Sequence, residues 1–251
     1  EYFTKLTNKR KGSNRLSWVS LVLNLDSFTN GSLKFADLNQ KFLEDFKEYL
    51  LNTKSNKSRK TNLSQNSAHS YFNKVKAALK QAYKDGILQH DLNAKVTPIK
   101  AAETRREYLT LEELNKLVKK DCNNPLLKRA ALFSALTGLR FSDIQKMTWS
   151  ELEYINEQGY SLNFTQKKTK GVEVLPISDQ AYSFTEGTEN PKDMPQDKPV
   201  FEGLEYSAYH NKHLFQWVGA AGITKDITFH CFRHTFATLQ LFNGTDIYTV
   251  S

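Results

Sequence analysis

The chain has 251 residues and a net charge of +8, with 39% hydrophobic and 25% charged residues. That length suits two ordinary domains. No apolar run reaches the about 18 residues that a membrane-spanning helix takes, the first residues lack the charged-then-apolar pattern of a secretion signal, and two distant cysteines, Cys122 and Cys231, with no CxxC, fit a reduced cytoplasmic protein rather than a disulfide scaffold.

The charge is unevenly placed. Glu1 to Arg106 holds 20 Lys and Arg against 9 Asp and Glu, whereas Glu107 to Ser251 holds 15 against 18. A basic first half joined to a near-neutral second half suits a partner that is a polyanion, nucleic acid being the commonest. A merely soluble basic domain is the competing reading of charge alone.

In chain order, Asn14 to about Phe28 reads as a helix, with Trp18, Leu21, Val22, Leu25 and Phe28 at helical spacing. Asn30-Gly31 stops it. Asp37 with Gln40 has the pattern of a capping box, and the helix it predicts carries Leu38, Phe42, Leu43, Phe46, Tyr49 and Leu50 on its apolar side. Lys54, Lys57, Arg59 and Lys60 lie in a polar stretch, suited to phosphates or simply solvated. Ser64 to Asp85 predicts a third helix, with Phe72, Val75, Leu79 and Ala82 inward and Gly86 as its stop. Lys74, Lys76, Lys80 and Lys84 occupy its other side and suit a DNA backbone, with solvated lysines as the alternative. Asp91 to Arg106 loses periodicity, so the reading is a helical domain over 1–100, a linker over 101–107 and a second domain over 108–251.

In the second half, Thr110 with Glu113 makes a capping box and Pro125 opens a helix that Gly138 ends. Arg140 follows at once. Ser142 and Gln145 start another helix, carrying Asp143. The period then changes: Tyr160 to Gln166 and Val172 to Ile177 predict two strands around the basic turn Lys167 to Gly171. Helices follow over Tyr209 to Ala221 and Phe229 to Phe242, and Thr245 starts one more. The fold class is mainly α with a small β-sheet, α+β.

His230 and Arg233 are three apart and share a helix face. A neutral imidazole passes a proton, and a guanidinium grips two phosphate oxygens in a planar fork. An isolated HxxR is more often a satisfied histidine beside a surface arginine; the second arginine, Arg140, changes the weighing. His230 and His234 lack the acidic residue or third ligand of a zinc site. There is no phosphate-binding P-loop, no dinucleotide fingerprint and no nucleophile-elbow motif, so no metal or cofactor is expected.

Thr137-Gly138-Leu139-Arg140-Phe141-Ser142-Asp143, a basic hairpin, and then His230-Cys231-Phe232-Arg233-His234-Thr235-Phe236-Ala237-Thr238 resemble the tyrosine recombinase (phage integrase) family, in the style of mobile-element integrases of Bacteroidetes-type bacteria. The resemblance implies a helical SAM-like core-binding domain and a recombinase catalytic domain that close around duplex DNA. It implies site-specific recombination through a 3′-phosphotyrosyl intermediate. By resemblance, Arg140 and Arg233 clamp the phosphate, Lys168 protonates the leaving 5′-oxygen, His230 handles the tyrosine proton and Asp143 braces the arginines. The implied partners are a duplex recombination site, further copies assembling to a tetramer on DNA, and accessory DNA-bending proteins, with no membrane, in the bacterial cytoplasm at the nucleoid. A type IB topoisomerase-like enzyme and a non-catalytic DNA-binding protein of the same fold are the alternatives.

The sequence departs from the family at its end. The family needs a further His or Trp and then the tyrosine, about twice as far past Arg233 as Tyr248, which follows it by fifteen positions. The chain is therefore expected to be a fragment or shortened member, without the arm-binding domain many integrases carry, that binds DNA without cleaving it.

Overall fold

A computed structural model of the chain describes residues 1–56, 58, 60–165 and 172–245. It divides into two compact units, Glu1–Thr104 and Arg105–Ser251.

The first unit is helical: α1 (Tyr2–Asn8), α2 (Gly12–Thr29), α3 (Gln40–Asn52), α4 (Gln65–Lys84) and α5 (Leu92–Lys95). Its core is what the helical spacing predicts, with Trp18 and Leu21 of α2, Leu43, Phe46 and Leu50 of α3, and Phe72, Val75 and Leu79 of α4 buried together. Phe28 packs its ring against Phe42, Phe46 and Tyr49 at centroid distances of 5.1–5.5 Å, contacts that add to simple burial.

Two local expectations are corrected. Asp37 does not start α3. Its carboxylate accepts from Lys34 N at 2.9 Å, closing a 3-10 turn over Phe35–Asp37, and Asn39 is the cap, accepting from Phe42 N at 2.9 Å. An Asp or Asn serves either role, and only the local path decides. The stretch after Asp91 is also more than a tether. α5 lies in it, Val96 and Ile99 are buried in the first unit's core, and the side chains of α4 hold its backbone. Lys76 Nζ donates to the carbonyls of Asn93 and Val96, and His69 Nδ1 donates to Ile99 O at 2.5 Å. Gln65 donates to Lys100 O, and Asn66 both donates to Ala102 O and accepts from Ala102 N.

The second unit comprises α6 (Leu111–Val118), α7 (Pro125–Thr137), α8 (Phe141–Lys146), β1 (Leu152–Ile155), β2 (Gly159–Thr165), β3 (Val172–Ile177), α9 (Asp179–Ser183), α10 (Ala208–Ala220) and α11 (Phe229–Phe242). The two expected strands are joined by β1, giving an antiparallel sheet of order β1-β2-β3. Leu152 pairs Leu162 in β1-β2, and Leu162 pairs Leu175 in β2-β3. α7 runs through the middle of the core. Asn124 caps it, Pro125 opens it, and Leu127, Ala130, Ala131, Phe133, Ser134 and Ala135 are all buried, because past Lys128 and Arg129 the helix carries only apolar or small side chains. Its C-terminus packs against α11 at Gly138, which sits at φ +70°. A Cβ there would come within 2.5 Å of Phe236 Cδ1.

Two outcomes follow from this packing. Gly138→Ala combines a left-handed backbone with that overlap, and chemical denaturation should show the second unit destabilised by roughly 2–4 kcal/mol. Because the backbone of 93–102 is held by α4 while Arg105 and Arg106 are exposed, brief trypsin treatment should cut after Arg105 or Arg106 before it cuts after Lys95 or Lys100, read by mass spectrometry of the first fragments.

Candidate functional site

The junction of α7 and α11 sets the geometry of one small cavity. Gly138 closes α7 by turning left-handed, and Ser134 Oγ donates to Leu139 O at 2.8 Å, fixing the exit of the chain. Arg140 comes next, in extended conformation as the residue before α8. From the facing helix, Arg233 Nη1 donates to Gly138 O at 2.5 Å. The two guanidiniums therefore belong to elements that are packed together and bonded two residues from Arg140. α11 is itself held in place through Thr235, fully buried, whose hydroxyl accepts from Leu109 N and donates to Cys231 O, both at 2.9 Å.

Arg140, His230 and Arg233 line the same cavity, of about 120 Å³, with Ser134, Phe141, Tyr206 and Asn211 among its other walls. Asp143, its side chain 1% exposed, lies below with Oδ2 at 3.9 Å from Arg140 Nη1. Burial lowers the pKa of Arg233, and the charge of Arg140 lowers it further; the carboxylates of Asp143 and Glu173 offset part of this. Two like charges are thus held together in a partly desolvated place, an arrangement that an incoming anion relieves. Burial also lowers the pKa of His230, followed by His234, Arg233, Arg106 and Arg140, so its imidazole is neutral near pH 7. The His234 ring stands edge-on to His230 at 4.6 Å, and its Nε2 is buried with no hydrogen-bond partner among the described residues. Cys231 points the other way, into the core, where its sulfur meets Thr228 at 3.4 Å. Among the described residues, no three His, Cys, Asp or Glu gather as metal ligands, and no helix is long and apolar enough to cross a membrane.

Of the other expected site residues, Lys168 lies outside the described residues, as do Lys57, Arg59 and Tyr248. The lysines of the first unit do not act alike. Lys80, Lys84 and Lys60 are exposed. Lys54 Nζ donates to Asn62 Oδ1 at 2.8 Å. Lys74 turns back to Ser70 Oγ at 2.8 Å, and burial lowers its pKa. Lys76 is a correction to the expected phosphate-tracking stripe: its ammonium is committed to two carbonyls beside α5. Spacing along a helix places a side chain on a face, and long-range acceptors decide whether its charge stays free. Tyr206 and Asn211 were not legible as pocket residues, because they reach the cavity from just before α10 and from within it, and no spacing links them to His230.

Comparison with known proteins places both units. The profile described as Phage integrase SAM-like domain matches residues 1–96, and that described as Phage integrase family matches residues 107–251. The chain is 30% identical over 193 residues to a tyrosine recombinase XerD of Lacticaseibacillus casei, covering 69% of this chain and 64% of that protein. It is 26% identical over 208 residues to a XerD of Listeria innocua, covering 76% and 68%. The chain thus spans a little under two thirds of the first of these relatives. In fold it is similar to a lambda integrase dimer bound to a core site, with a TM-score of 0.66 at 18% identity, covering 98% of this chain and 89% of that one. It is likewise similar to the Tn1549 transposon integrase in complex with transposon right-end DNA, with a TM-score of 0.66 at 16% identity, covering 99% and 88%.

The lowered pKa values of His230 and His234 carry a sign that can be checked. On acidification the unfolded chain takes up protons first, at about pH 6.5, so these two groups subtract stability as pH falls below that value and leave it unchanged above. Imidazole NMR titration should find both histidines titrating below the ordinary range, and Arg106→Gln should raise both midpoints by removing a nearby positive charge.

Proposed function

We propose, on the premise that the chain belongs to the phage integrase family, that it acts as a tyrosine-type site-specific recombinase on duplex DNA. The observation that carries this reading is the single cavity lined by Arg140, His230 and Arg233, with Asp143 beneath. A phosphodiester seated there presents its two non-bridging oxygens to two guanidiniums. Charge grows on those oxygens as a nucleophile attacks phosphorus, and preorganised cations stabilise that state more than the ground state.

In this reaction a tyrosine hydroxyl attacks phosphorus, the bond to the 5′-oxygen breaks, and a 3′-phosphotyrosyl link forms. One phosphodiester replaces another, so no outside energy source enters. Neutral His230 is suited to take the phenol proton, directly or through water. Lys168 is assigned to protonate the leaving 5′-oxygen. Asp143 orients Arg140 and compensates part of the charge of the pair. Tyr248 lies outside the described residues, and the nucleophile is assigned here by type, as a tyrosine, and not by position.

The partners follow the same reading. The basic first unit supplies phosphate contacts through exposed residues such as Lys60, Lys80 and Lys84. A lambda integrase tetramer bound to a Holliday junction has a fold like this chain's, with a TM-score of 0.65, which supports assembly of four copies on DNA. Accessory DNA-bending proteins and a place in the bacterial cytoplasm at the nucleoid complete the assignment.

The experiment is a titration of duplex DNA carrying the element's own junction sequence, across salt concentrations, with wild type, Arg140→Gln and Arg233→Gln. Each substitution should weaken binding about 10- to 100-fold, the worth of a charge-assisted hydrogen bond, and flatten the salt slope by about one. Binding that ignores salt, or is untouched by either arginine change, overturns the reading.

A further inference from the structure

A cavity of about 120 Å³ has room for a phosphate group and not for the nucleotides on either side of it, so a strand seated there must leave across one of the walls. The back of the cavity is closed, because Ser134, Leu139 and Phe229 are buried. Tyr206 and Asn211 reach it from the open side, and both are exposed. Tyr206 keeps 67% of its surface in solvent while lining the same cavity as Arg140, His230 and Arg233.

That exposure does not make Tyr206 loose. Its backbone is held from both sides: Gln145 Nε2 donates to Leu204 O at 2.9 Å just before it, and Ser207, just after it, caps α10 by accepting from His210 N at 3.2 Å. Its ring stands nearly perpendicular to Phe141 at a centroid distance of 5.5 Å, and Phe141 meets Phe229 in the same way at 4.9 Å. Phe141 follows Arg140 and Phe229 precedes His230 in the chain, so this row of three rings ties Tyr206 to both residues of the phosphate cavity. The hydroxyl bonds to no other described residue. A tyrosine has only two side-chain torsions to fix on binding, and its phenol is a neutral donor that suits a phosphate oxygen.

We propose that Tyr206 is a DNA-contact residue of this site: its hydroxyl donates to the phosphodiester next to the one clamped by Arg140 and Arg233, so that the strand is held at two consecutive phosphates. The inference rests on the reading of the cavity as a phosphate site and adds a second point of attachment to it. One point leaves the strand free to pivot about the clamped phosphorus. Two points fix the direction of its bridging oxygens, and the attacking and leaving oxygens must stand along that direction for the exchange to proceed.

The test is a set of titrations of the 251-residue chain with the element's own junction duplex, in which each phosphate around the exchange point is in turn replaced by a methylphosphonate, which is neutral and lacks one non-bridging oxygen. A variant that has lost its contact with a phosphate no longer responds to replacement there. Arg140→Gln and Arg233→Gln mark the clamped phosphate in this way. Tyr206→Phe keeps the ring against Phe141 and removes only the hydroxyl. It should weaken binding to the unmodified duplex about 3- to 10-fold and leave the salt slope as in wild type, because a neutral donor releases no counterion. Its response should be lost at the phosphate adjacent to the clamped one and kept at the clamped one itself, and Tyr206→Ala should lose the same adjacent response. A wild-type response of Tyr206→Phe at every phosphate overturns the proposal, as does a loss seen with Tyr206→Ala alone, which assigns the contact to the ring and not to the hydroxyl. If neither arginine variant marks a phosphate, the reading of the cavity fails and the second attachment falls with it; if they mark one and Tyr206→Phe does not mark its neighbour, the second attachment fails alone.

Discussion

The close approach of α7 and α11 at Gly138 is the constraint on which the second unit's site depends. The glycine meets two demands at once, a left-handed turn and a ring lying where a Cβ would be. With the helices that close, the carbonyl of Gly138 is within reach of Arg233, and the chain leaving the turn delivers Arg140 to the same cavity. A side chain at 138 would meet the Phe236 ring and strain the left-handed turn, so that either the ring or the helix has to shift. The packing of two helices is in this sense the positioning of the arginines.

That positioning runs against electrostatics. Two guanidiniums share a cavity, and one of them has lost much of its solvent; the nearby carboxylates compensate only in part. The rest of the unit supplies what holds them there: the buried faces of α7, the Thr235 hydroxyl bonded to Leu109 N and Cys231 O, and Lys225 joined to Glu113 at 2.6 Å and to Tyr108 O at 3.0 Å. Cations already held in place by the fold do not have to reorganise when an anion arrives, which is the general advantage of a preorganised site.

Cations elsewhere in the chain show how little a charge count says about use. Lys76, Lys146 and Lys225 each direct the ammonium to at least one backbone carbonyl of another element. Lys80 and Lys84, on the same helix as Lys76, remain exposed. A lysine that ends on a carbonyl is part of the scaffold, while one that ends in water is available to a phosphate, and the two have the same appearance in a sequence.

What the sequence determined by itself is what local chemistry and short spacing control. The long helices were legible because their apolar residues recur on one face, as with Phe72, Val75 and Leu79, and because their ends carry caps such as Thr110 with Glu113. The β2-β3 pairing was legible from a change of period around a basic turn. The pairing of His230 with Arg233 needed only helical geometry, and the family emerged from short contiguous motifs, one across the turn from α7 to α8 and one within α11. Short elements were not legible: α1, α5, β1 and α9 are too brief to show a period, and they form because a packed neighbour satisfies them. Asp37 and Asn39 were equally good caps until the path of the chain chose between them. The cavity itself was decided only by the tertiary structure. Arg140 and His230 are ninety residues apart, Tyr206 and Asn211 join them from a third element, and their meeting depends on distances between helices, which follow from the simultaneous packing of many side chains and are written in no single stretch of sequence.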